Sequence, residues 1–514
     1  MKIKAIPFFF VIFAFGISCQ SIKQTKSVSR VPTILPDYTE IVIPPNIAPL
    51  CFSIQEKGLK YFVEIRGENG KPIHVRSRNG KVHIPIKPWK KLLDQNRGKE
   101  IRLFVSVLDS HRTRLEFQPI VQYVAREEID PYLVYRRIPP LYILWKKIRI
   151  CERNLENFNE RTILWNKPMG EGCLNCHSFL NYRPEHWLVQ LRKCPGTGFL
   201  LIQEGNPMLV DPRTERVKSP AVYPAWHPSG KYIAFSVNKV RQFFHLAGEN
   251  RDVIDLVSDL VLYHVDKNTL QVFPALADPS RLETYPHWSP DGKFLYFCSA
   301  PGYDTTQIFT QAIYKKIRYD LMRVPFDPET GTLGQIETVL SSEKMGASIT
   351  HPRISPDGRF LLFCMCNYGN FSIYQPSSDL YLMDLKTKEV RALPVNSHRS
   401  ESYHAWSSNG RWIVFSSKRE DGLCARPYFS YVDTLGNASK PFVLPQRDPK
   451  YYEYTIETFN VPEFLIAPVQ PRPQKILLSA LRKNKLIHAK DQGASVEMPM
   501  PSSEESSWKP APSK

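Results

Sequence analysis

The sequence has 514 residues, a formal net charge of +18 and 42% hydrophobic residues, enough for packed cores. This length exceeds what one hydrophobic core usually serves, so we expect two or three domains. With 44 prolines and 24 glycines, the composition predicts many turns and short strands, and therefore a mainly β fold. Because the basic residues are scattered along the chain, the positive charge does not indicate a nucleic-acid partner.

The first eighteen residues have the pattern of a bacterial export signal. Two lysines precede an apolar run from Ala5 to Ile17, which is shorter than the roughly 20 residues of a membrane-spanning helix. Cys19 follows directly, in the position of the lipidated cysteine of bacterial lipoproteins; ordinary cleavage that leaves Cys19 unmodified is the alternative. We therefore expect an exported protein of the cell envelope, periplasmic or in the outer membrane. Residues 19–44 would be a linker behind a lipid anchor on Cys19.

Residues 45–125 contain alternating runs such as YFVEIRG, KVHIPI and RLFVSVLD, separated by Gly, Asn and Lys turns. Alternation of apolar and polar residues is typical of strands with one buried face, so this segment predicts a small β-sandwich. The next residues, 126–195, predict a linker with short helical pieces that are broken at Pro139-Pro140.

The predicted linker contains GCLNCHSF, Gly172 to Phe179, in which two cysteines and a histidine have the spacing of a c-type haem attachment site. The thiols of Cys173 and Cys176 would add to the two haem vinyl groups, and His177 would be the proximal ligand of the iron. Random placement of 10 Cys and 13 His predicts about 0.005 such matches in the chain. The motif therefore predicts one covalently bound haem c.

Two other interpretations of this motif remain open. In a zinc site, His186 and Cys194 would join the CxxC pair, or His177 would replace His186. In a disulfide, Cys173 and Cys176 would close a tight ring beside His177. If haem is bound, Met or His would be the distal ligand, and the candidates are Met169, His186, Met208, His227, His245 and Met345.

Four segments after the motif repeat one pattern of strand, turn and strand. They are YPAWHPSGKYIAFSVN, YPHWSPDGKFLYFCSA, THPRISPDGRFLLFCMC and YHAWSSNGRWIVFSSK. Each is followed by a second hairpin-like element, for example SDLYLMDLKTKEVRAL from Ser378. Two hairpins make a four-stranded sheet, and sheets that recur every 50 to 65 residues or so are the signature of a β-propeller. Residues 196–475 therefore predict a propeller of five or six blades.

The repeats resemble those of the TolB-type propeller family, whose blades carry the pattern W-S-P-D-G-K-x-I-x-F. The match is nearly complete from Trp288 to Phe297 and departs from the family at Ile354, where the family has Trp. The order of signal, sandwich, CxxCH motif and propeller is similar to that of a group of TolB-like exported proteins of Bacteroidetes-type bacteria. The resemblance implies a propeller architecture, which hosts binding proteins and enzymes alike.

Two functions follow from these features. The first is a lipoprotein that uses one c-type haem for electron transfer or redox sensing, with the propeller as docking surface for an envelope protein or redox partner. The second is a non-catalytic envelope binding or scaffold protein, in which the propeller recognises a protein or glycan and the CxxCH motif is structural. The sequence lacks G-x-S-x-G, H-E-x-x-H and P-loop motifs, so nothing in it indicates an ordinary hydrolase. Residues 476–514 are predicted to be a basic and then disordered tail.

Overall fold

The computed structural model describes residues 24–139, 147–192, 197–243, 252–305, 313–470, 473–482 and 486–492. The predicted export signal and Cys19 lie outside these residues. Among the helices described, none has the length and apolar character needed to cross a bilayer.

The N-terminal domain consists of two sheets and one helix. Its elements are β1 (Gln24–Val28), β2 (Ile34–Leu35), β3 (Ile41–Ile43), β4 (Phe52–Ile54), β5 (Lys60–Gly67), β6 (Ile73–Ser77), β7 (Lys81–Val82), α1 (Ile86–Gln95), β8 (Glu100–Leu108), β9 (Thr113–Phe117) and β10 (Ile120–Val124). One sheet has the strand order β1-β9-β8-β10-β3, and in it β5 also pairs with β8 while β6 pairs with β5. The other sheet has the order β2-β4-β7. The alternation in YFVEIRG buries Tyr61, Val63 and Ile65, which confirms the predicted sandwich.

Helix α1 was not expected from the sequence. It covers one end of the sandwich and buries Trp89, Leu92 and Leu93. The Trp89 indole donates a hydrogen bond of 3.0 Å to the backbone carbonyl of Ile47, so its one polar atom is satisfied in the core.

The remaining strands form six blades within the part of the chain that the structure describes. Blade 1 contains β11 (Tyr132–Ile138), β12 (Arg149–Asn154), β13 (Glu160–Trp165) and the C-terminal β35 (Thr458–Leu465). Blade 2 contains β14 (Cys173–Phe179), β15 (Trp187–Arg192), β16 (Gly198–Gln203) and β17 (Asn206–Asp211). Blade 3 contains β18 (Ala221–Trp226), β19 (Tyr232–Phe243), β20 (Asp252–His264) and β21 (Thr269–Val272).

The other three blades follow in chain order. Blade 4 contains β22 (Arg281–Trp288), β23 (Phe294–Pro301), β24 (Asp320–Asp327), β25 (Thr332–Leu333) and β26 (Glu337–Leu340). Blade 5 contains β27 (Ser348–Ile354), β28 (Phe360–Cys366), β29 (Asp379–Asp384) and β30 (Val390–Ala392). Blade 6 contains β31 (Glu401–Trp406), β32 (Trp412–Ser417), β33 (Arg426–Tyr431) and β34 (Phe442–Val443). Short helices α2 (Ser342–Met345) and α3 (Tyr451–Tyr454) lie between these strands.

Blade 1 closes the ring because it combines strands from two distant parts of the chain. The C-terminal strand β35 pairs antiparallel with β11, about 320 residues earlier. The mainly β fold, with its sandwich and a propeller of five or six blades, is thus confirmed, and the number of blades is six. The propeller begins at Tyr132, so residues 132–192, predicted as a linker, are strands of blades 1 and 2.

The predicted C-terminal tail also contributes strands. After α4 (Pro473–Arg482), strands β36 (Leu486–His488) and β37 (Lys490–Gln492) pair in parallel with the outer strands of blades 2 and 3. Leu477 of α4 is fully buried against blades 1 and 2. Residues 493–514 of the predicted tail lie outside the described residues.

Candidate functional site

The repeated W-S-P-D-G segments build the joints between blades. The Trp288 indole donates to the Ala225 carbonyl (3.1 Å) of the preceding blade, and Trp406 donates likewise to Arg353 (3.1 Å). The turn itself is closed by side chains, since the Ser289 hydroxyl donates to Asp291 (2.6 Å) and accepts from the Phe294 amide. The strongest sequence motif of the chain therefore has a structural role.

Five of the six innermost strands carry a bulge at which one residue has a positive φ. These residues are Tyr223, Tyr285, His351, Tyr403 and Val461, with φ between 45° and 54°. At each bulge the pairing to the neighbouring strand shifts register by skipping two residues. A positive φ is uncommon for bulky side chains and is seen where the surrounding structure imposes it, often beside functional sites.

The bulges bring four aromatic rings together in the central channel. The ring centroids of Tyr223 and Tyr285 are 4.5 Å apart, those of Tyr285 and His351 3.9 Å, and those of His351 and Tyr403 5.0 Å. We call these four residues the aromatic plug. Because their rings are in contact across four blades, they obstruct the channel between its two ends.

Beyond the plug, a long hairpin from blade 3 reaches across to blade 5. It is formed by β19 and β20, which have 12 and 13 residues. Its Asp255 carboxylate accepts hydrogen bonds from Asn238 (3.0 Å) and from Asn370 of blade 5 (2.5 Å). Asp252, on the same strand, accepts from Tyr368 (2.9 Å) and Gln375 (3.1 Å). This polar strap covers the end of the channel that lies at the start of the inner strands.

The opposite end of the channel opens into a cavity of about 430 Å³. Its walls include Phe179, Tyr182, Trp226, Trp288, Trp406 and prolines 224, 228, 286, 290, 356 and 462. The polar lining residues include Arg353, Glu463, His287, His404 and Asn181. The cavity combines an apolar wall with a few convergent polar groups, which is typical of ligand sites. We call it the mouth cavity.

Arg353 and Glu463 place a guanidinium and a carboxyl group in the lining of the mouth cavity. Arg353 makes one hydrogen bond, from Nη1 to the carbonyl of its neighbour Pro352 (2.8 Å), and no carboxylate of the described residues lies within 4.0 Å of it. Glu463 accepts a hydrogen bond from the Phe179 amide (3.1 Å). Burial raises the pKa of the Glu463 carboxyl to about 8, although the nearby Arg353 and the Phe179 amide oppose the shift. At pH 7 the acid is therefore mostly protonated. Burial lowers the pKa of the Arg353 guanidinium from its ordinary value, but a guanidinium stays protonated in proteins at this pH.

The histidines of the mouth cavity are neutral at pH 7. Burial, together with the charge of Arg353, lowers the pKa of His404 to about 3 and places that of His287 well below 6.5. His404 is held between two groups, since its Nε2 lies 3.1 Å from the Leu362 carbonyl and its Nδ1 lies 3.6 Å from the Cys364 thiol. Burial raises the pKa of that thiol to about 12, so Cys364 is not a thiolate nucleophile.

The predicted haem residues lie on β14, the innermost strand of blade 2. Cys173 is packed in the apolar layer between blades 1 and 2, whereas Cys176 lies close to the Tyr223 and Tyr403 rings of the plug. His177 is 2% exposed and faces the carbonyls of Val134 and Val461 in blade 1. None of the three residues lines the mouth cavity.

The imidazole of His177 is neutral and makes no hydrogen bond of ordinary geometry through either ring nitrogen to the described residues. Its pKa is lowered to about 3, mainly by burial and secondly by the charge of Arg136, whereas the two facing carbonyls oppose the shift. A neutral imidazole with an open nitrogen is what a metal ion requires of a histidine ligand. Thioether attachment also requires both thiols and this ring to be reachable by one porphyrin, whereas here Cys173 and Cys176 lie in different layers. A bound haem would require the inner strand of blade 2 to leave this packing.

The alternative interpretations of the motif are not assembled in this fold. No disulfide joins the described cysteines, including Cys173 and Cys176. The described residues include no group of three or more His, Cys, Asp or Glu placed to hold a metal ion. Cys194, a ligand in the zinc interpretation, lies outside the described residues, as does His245.

The mouth cavity was not predicted from the sequence, although a signal for it exists. Five repeats contain a triplet whose first member has the positive φ and whose third member lines the cavity: Tyr-Pro-Ala225, Tyr-Pro-His287, His-Pro-Arg353, Tyr-His-Ala405 and Val-Pro-Glu463. Alignment of these strands on the residue that follows the triplet, which is Trp in three strands, Ile354 in blade 5 and Phe464 in blade 1, places these five residues at one position. Three of the five residues, His287, Arg353 and Glu463, are ionisable, which a structural repeat does not require.

The strand order defines the class of protein as a six-bladed β-propeller with an N-terminal β-sandwich packed against it. No family model matches the sequence, and no curated protein matches it either. Similar solved structures include TolB from Acinetobacter baumannii, at 12% identity over 71% of this chain and 79% of that one, with a TM-score of 0.41. The Dos1 propeller is 11% identical over 54% and 62% of the two chains, with a TM-score of 0.33. Similarity at this level carries no argument about activity, and the propeller is assigned from its own strand order.

Proposed function

We propose that this chain is a non-catalytic binding protein whose propeller receives its ligand or partner in the mouth cavity. The observation that carries the proposal is the shape of the channel, which is open at the mouth cavity, obstructed by the aromatic plug and covered by the strap at its other end. A channel closed in this way serves as a pocket and not as a passage. The thiol of Cys364, which lies behind the lining residue His404, is not a thiolate, since burial raises its pKa to about 12.

Photo-crosslinking in cells that make the full chain tests this proposal. A p-benzoylphenylalanine at Asn181, an exposed residue at the rim, should give a discrete adduct. The same group at Leu435, which is 64% exposed and distant in the fold from the lining residues, is the matched control. Filling the cavity by Ala405→Phe should abolish the adduct at Asn181. Identical adducts at both positions, an adduct that survives Ala405→Phe, or no adduct at Asn181 would contradict the proposal.

We further propose export to the cell envelope, with lipid on Cys19, which would place the propeller at a membrane surface in the periplasm or outer membrane. This rests on the export pattern of residues 1–18, which lie outside the described residues. Metabolic labelling with a palmitate analogue should mark the wild-type chain and not Cys19→Ala. Label of equal intensity in both would contradict lipidation, and a full-length chain in the cytosolic fraction would contradict export.

A second candidate function is electron transfer or redox sensing by one haem c on Cys173 and Cys176, with His177 as proximal ligand. The observation that favours it is the neutral His177 imidazole, whose ring nitrogens make no hydrogen bond of ordinary geometry to the described residues. Haem c would supply one-electron chemistry, and the chain would supply two thioether anchors and one axial nitrogen.

A pyridine haemochrome spectrum of the exported protein, made together with the haem-maturation machinery, tests this candidate. The c-type band should survive acid-acetone extraction, vanish in Cys173→Ala with Cys176→Ala, and persist in Cys424→Ala. Absence of the band in folded wild-type protein would eliminate the candidate and leave the binding function intact.

A further inference from the structure

Arg353 is a half-buried cation at the mouth cavity without an anionic partner. Its guanidinium carries five N–H donors, and only the bond from Nη1 to the Pro352 carbonyl is made within the described residues. Removing a charge from water without pairing it costs free energy, which is recovered when an anion binds. By comparison, Arg419 and Arg137, two buried or half-buried arginines elsewhere in the propeller, are both paired with glutamates.

The surroundings of Arg353 do not neutralise its charge. Glu463, the acid of the cavity, is mostly protonated at pH 7, and His287 and His404 are neutral. Arg136 adds a second positive charge near Tyr403 and also forms no ion pair within 4.0 Å among the described residues. The interior end of the cavity is therefore positive. Because the effective dielectric constant is lower there than in water, an anion is attracted more strongly.

The shape of the cavity limits what the anion can be attached to. Its volume of about 430 Å³ is enough for a small molecule or for a few residues of an inserted peptide, and the plug prevents passage further along the channel. A guanidinium pairs with a planar carboxylate through two parallel hydrogen bonds. A protonated Glu463 beside it is a further donor to such a group.

We propose that the ligand of the mouth cavity carries a carboxylate that pairs with Arg353. The proposal rests on the binding function proposed above and names the chemistry that the site selects. The carboxylate belongs either to a small organic acid or to an acidic side chain or C-terminus of a peptide, and the experiment separates these two sources.

The test uses ligand-observed NMR and calorimetry on the full folded chain at low ionic strength. Glutarate, glutaramide and cadaverine have the same five-carbon chain and carry negative, zero and positive charge. Inorganic phosphate is a fourth probe. The peptides acetyl-Gly-Trp-Glu-Gly-amide and acetyl-Gly-Trp-Gln-Gly-amide differ only in one carboxylate. We expect glutarate or the Glu peptide to bind, with the other probes at least about tenfold weaker.

Variants then assign the binding to Arg353. Arg353→Met replaces the guanidinium with an apolar group and should lower the affinity for the carboxylate probe by about tenfold or more. Arg353→Lys keeps the charge and should retain part of the affinity. Arg359→Met is the matched control, because Arg359 is an exposed arginine of the same blade that contacts Asp384 outside the cavity. If Arg353→Met does not fold, the comparison of Arg353→Lys with wild type still measures the dependence on the guanidinium.

Each outcome decides the proposal. Loss of carboxylate binding in Arg353→Met with retention in Arg359→Met supports it, and the stronger of glutarate and the Glu peptide identifies the source. Preferred binding of glutaramide, cadaverine or phosphate, or equal affinity in both methionine variants, overturns the carboxylate and leaves the binding function standing. Absence of binding by every probe overturns the carboxylate proposal, while an adduct at Asn181 in the crosslinking experiment would still uphold the binding function.

Discussion

The Trp288 indole of blade 4 donates a hydrogen bond of 3.1 Å to the backbone carbonyl of Ala225 in blade 3. Both residues are buried and both line the mouth cavity, so the bond ties two blades together at the rim of the proposed site. Equivalent bonds from Trp226 to Ser178 (3.3 Å) and from Trp406 to Arg353 (3.1 Å) tie two further pairs of blades. Stability and site geometry therefore depend on the same residues.

We expect Trp288→Phe to destabilise the protein by about 1 to 3 kcal/mol, because it leaves the buried Ala225 carbonyl without its donor and also creates a small void. Urea unfolding followed by circular dichroism measures the change. Trp165→Phe is the control, since Trp165 is 37% exposed on an outer strand, and should change the free energy of unfolding by less than about 0.5 kcal/mol. Equal effects of the two substitutions would refute the interblade role of Trp288.

A pair of buried acids predicts a pH dependence of stability. Burial and the neighbouring Asp259 raise the pKa of Glu283 from 4.5 to about 8, and Asp259 itself is raised to about 7. Between pH 4.5 and 8 the folded state therefore binds more protons than the unfolded state, so stability falls as pH rises through this window. Below pH 4.5 both states are protonated and this contribution is fully present.

Replacement of the acid should remove part of that slope. Across pH 5 to 8 we expect the free energy of unfolding of Glu283→Gln to fall less steeply than that of wild type, by up to about 1.4 kcal/mol per pH unit. Chemical unfolding at each pH measures it. Glu329→Gln changes a glutamate whose side chain is 82% exposed and should keep the wild-type slope. A slope for Glu283→Gln that matches wild type would show that Glu283 ionises normally in the fold.

The strap should loosen when Asp255 is removed. Asp255→Ala leaves the Asn238 and Asn370 amides without their acceptor, which should cost about 1 to 3 kcal/mol. Hydrogen–deuterium exchange should rise first in β19 and β20, because these strands lose one of their hydrogen bonds to blade 5, the bond from Asn370. Asp266→Ala, in the exposed turn that follows β20, is the control and should leave exchange in both strands unchanged. Uniform protection in Asp255→Ala would show that the strap is held by other contacts.

Two truncations distinguish ring closure from edge addition. A chain that ends at Gln470 loses α4, β36 and β37, which cover the outer side of blades 1 to 3. It should melt at a lower temperature than wild type, with the wild-type elution volume and cooperative unfolding. A chain that ends at Tyr454 also loses β35, the inner strand of blade 1, and should aggregate because an open inner edge of β11 is exposed. Size-exclusion chromatography and thermal unfolding compare the two. Cooperative unfolding of the shorter chain would mean that β35 does not close the ring.

The four complete repeats were the part of the propeller that sequence could predict well. In each of them the turn chemistry is local, and segments such as Phe294 to Cys298 are short apolar runs of the length of one strand. Blades 1 and 2 were predicted only in part: β16, β17 and β35 fall within the predicted propeller, residues 196–475, whereas their other strands fall in the predicted linker. Those strands lack the W-S-P-D-G turn, and β35 is about 320 residues from its partner. Pairing over such a distance leaves no mark in a local pattern.

The sequence by itself determined the mainly β composition, the sandwich, the repeated hairpins and the unusual CxxCH spacing. Only the tertiary structure decided that this motif is part of an inner strand, that four aromatic residues meet in the channel, and that Arg353 and Glu463 share one cavity. The physical reason is that turns and alternation depend on neighbours within a few residues, whereas a channel is formed by residues brought together when the ring closes. Burial then sets the charge of Glu463 and His177, which their residue types alone do not fix.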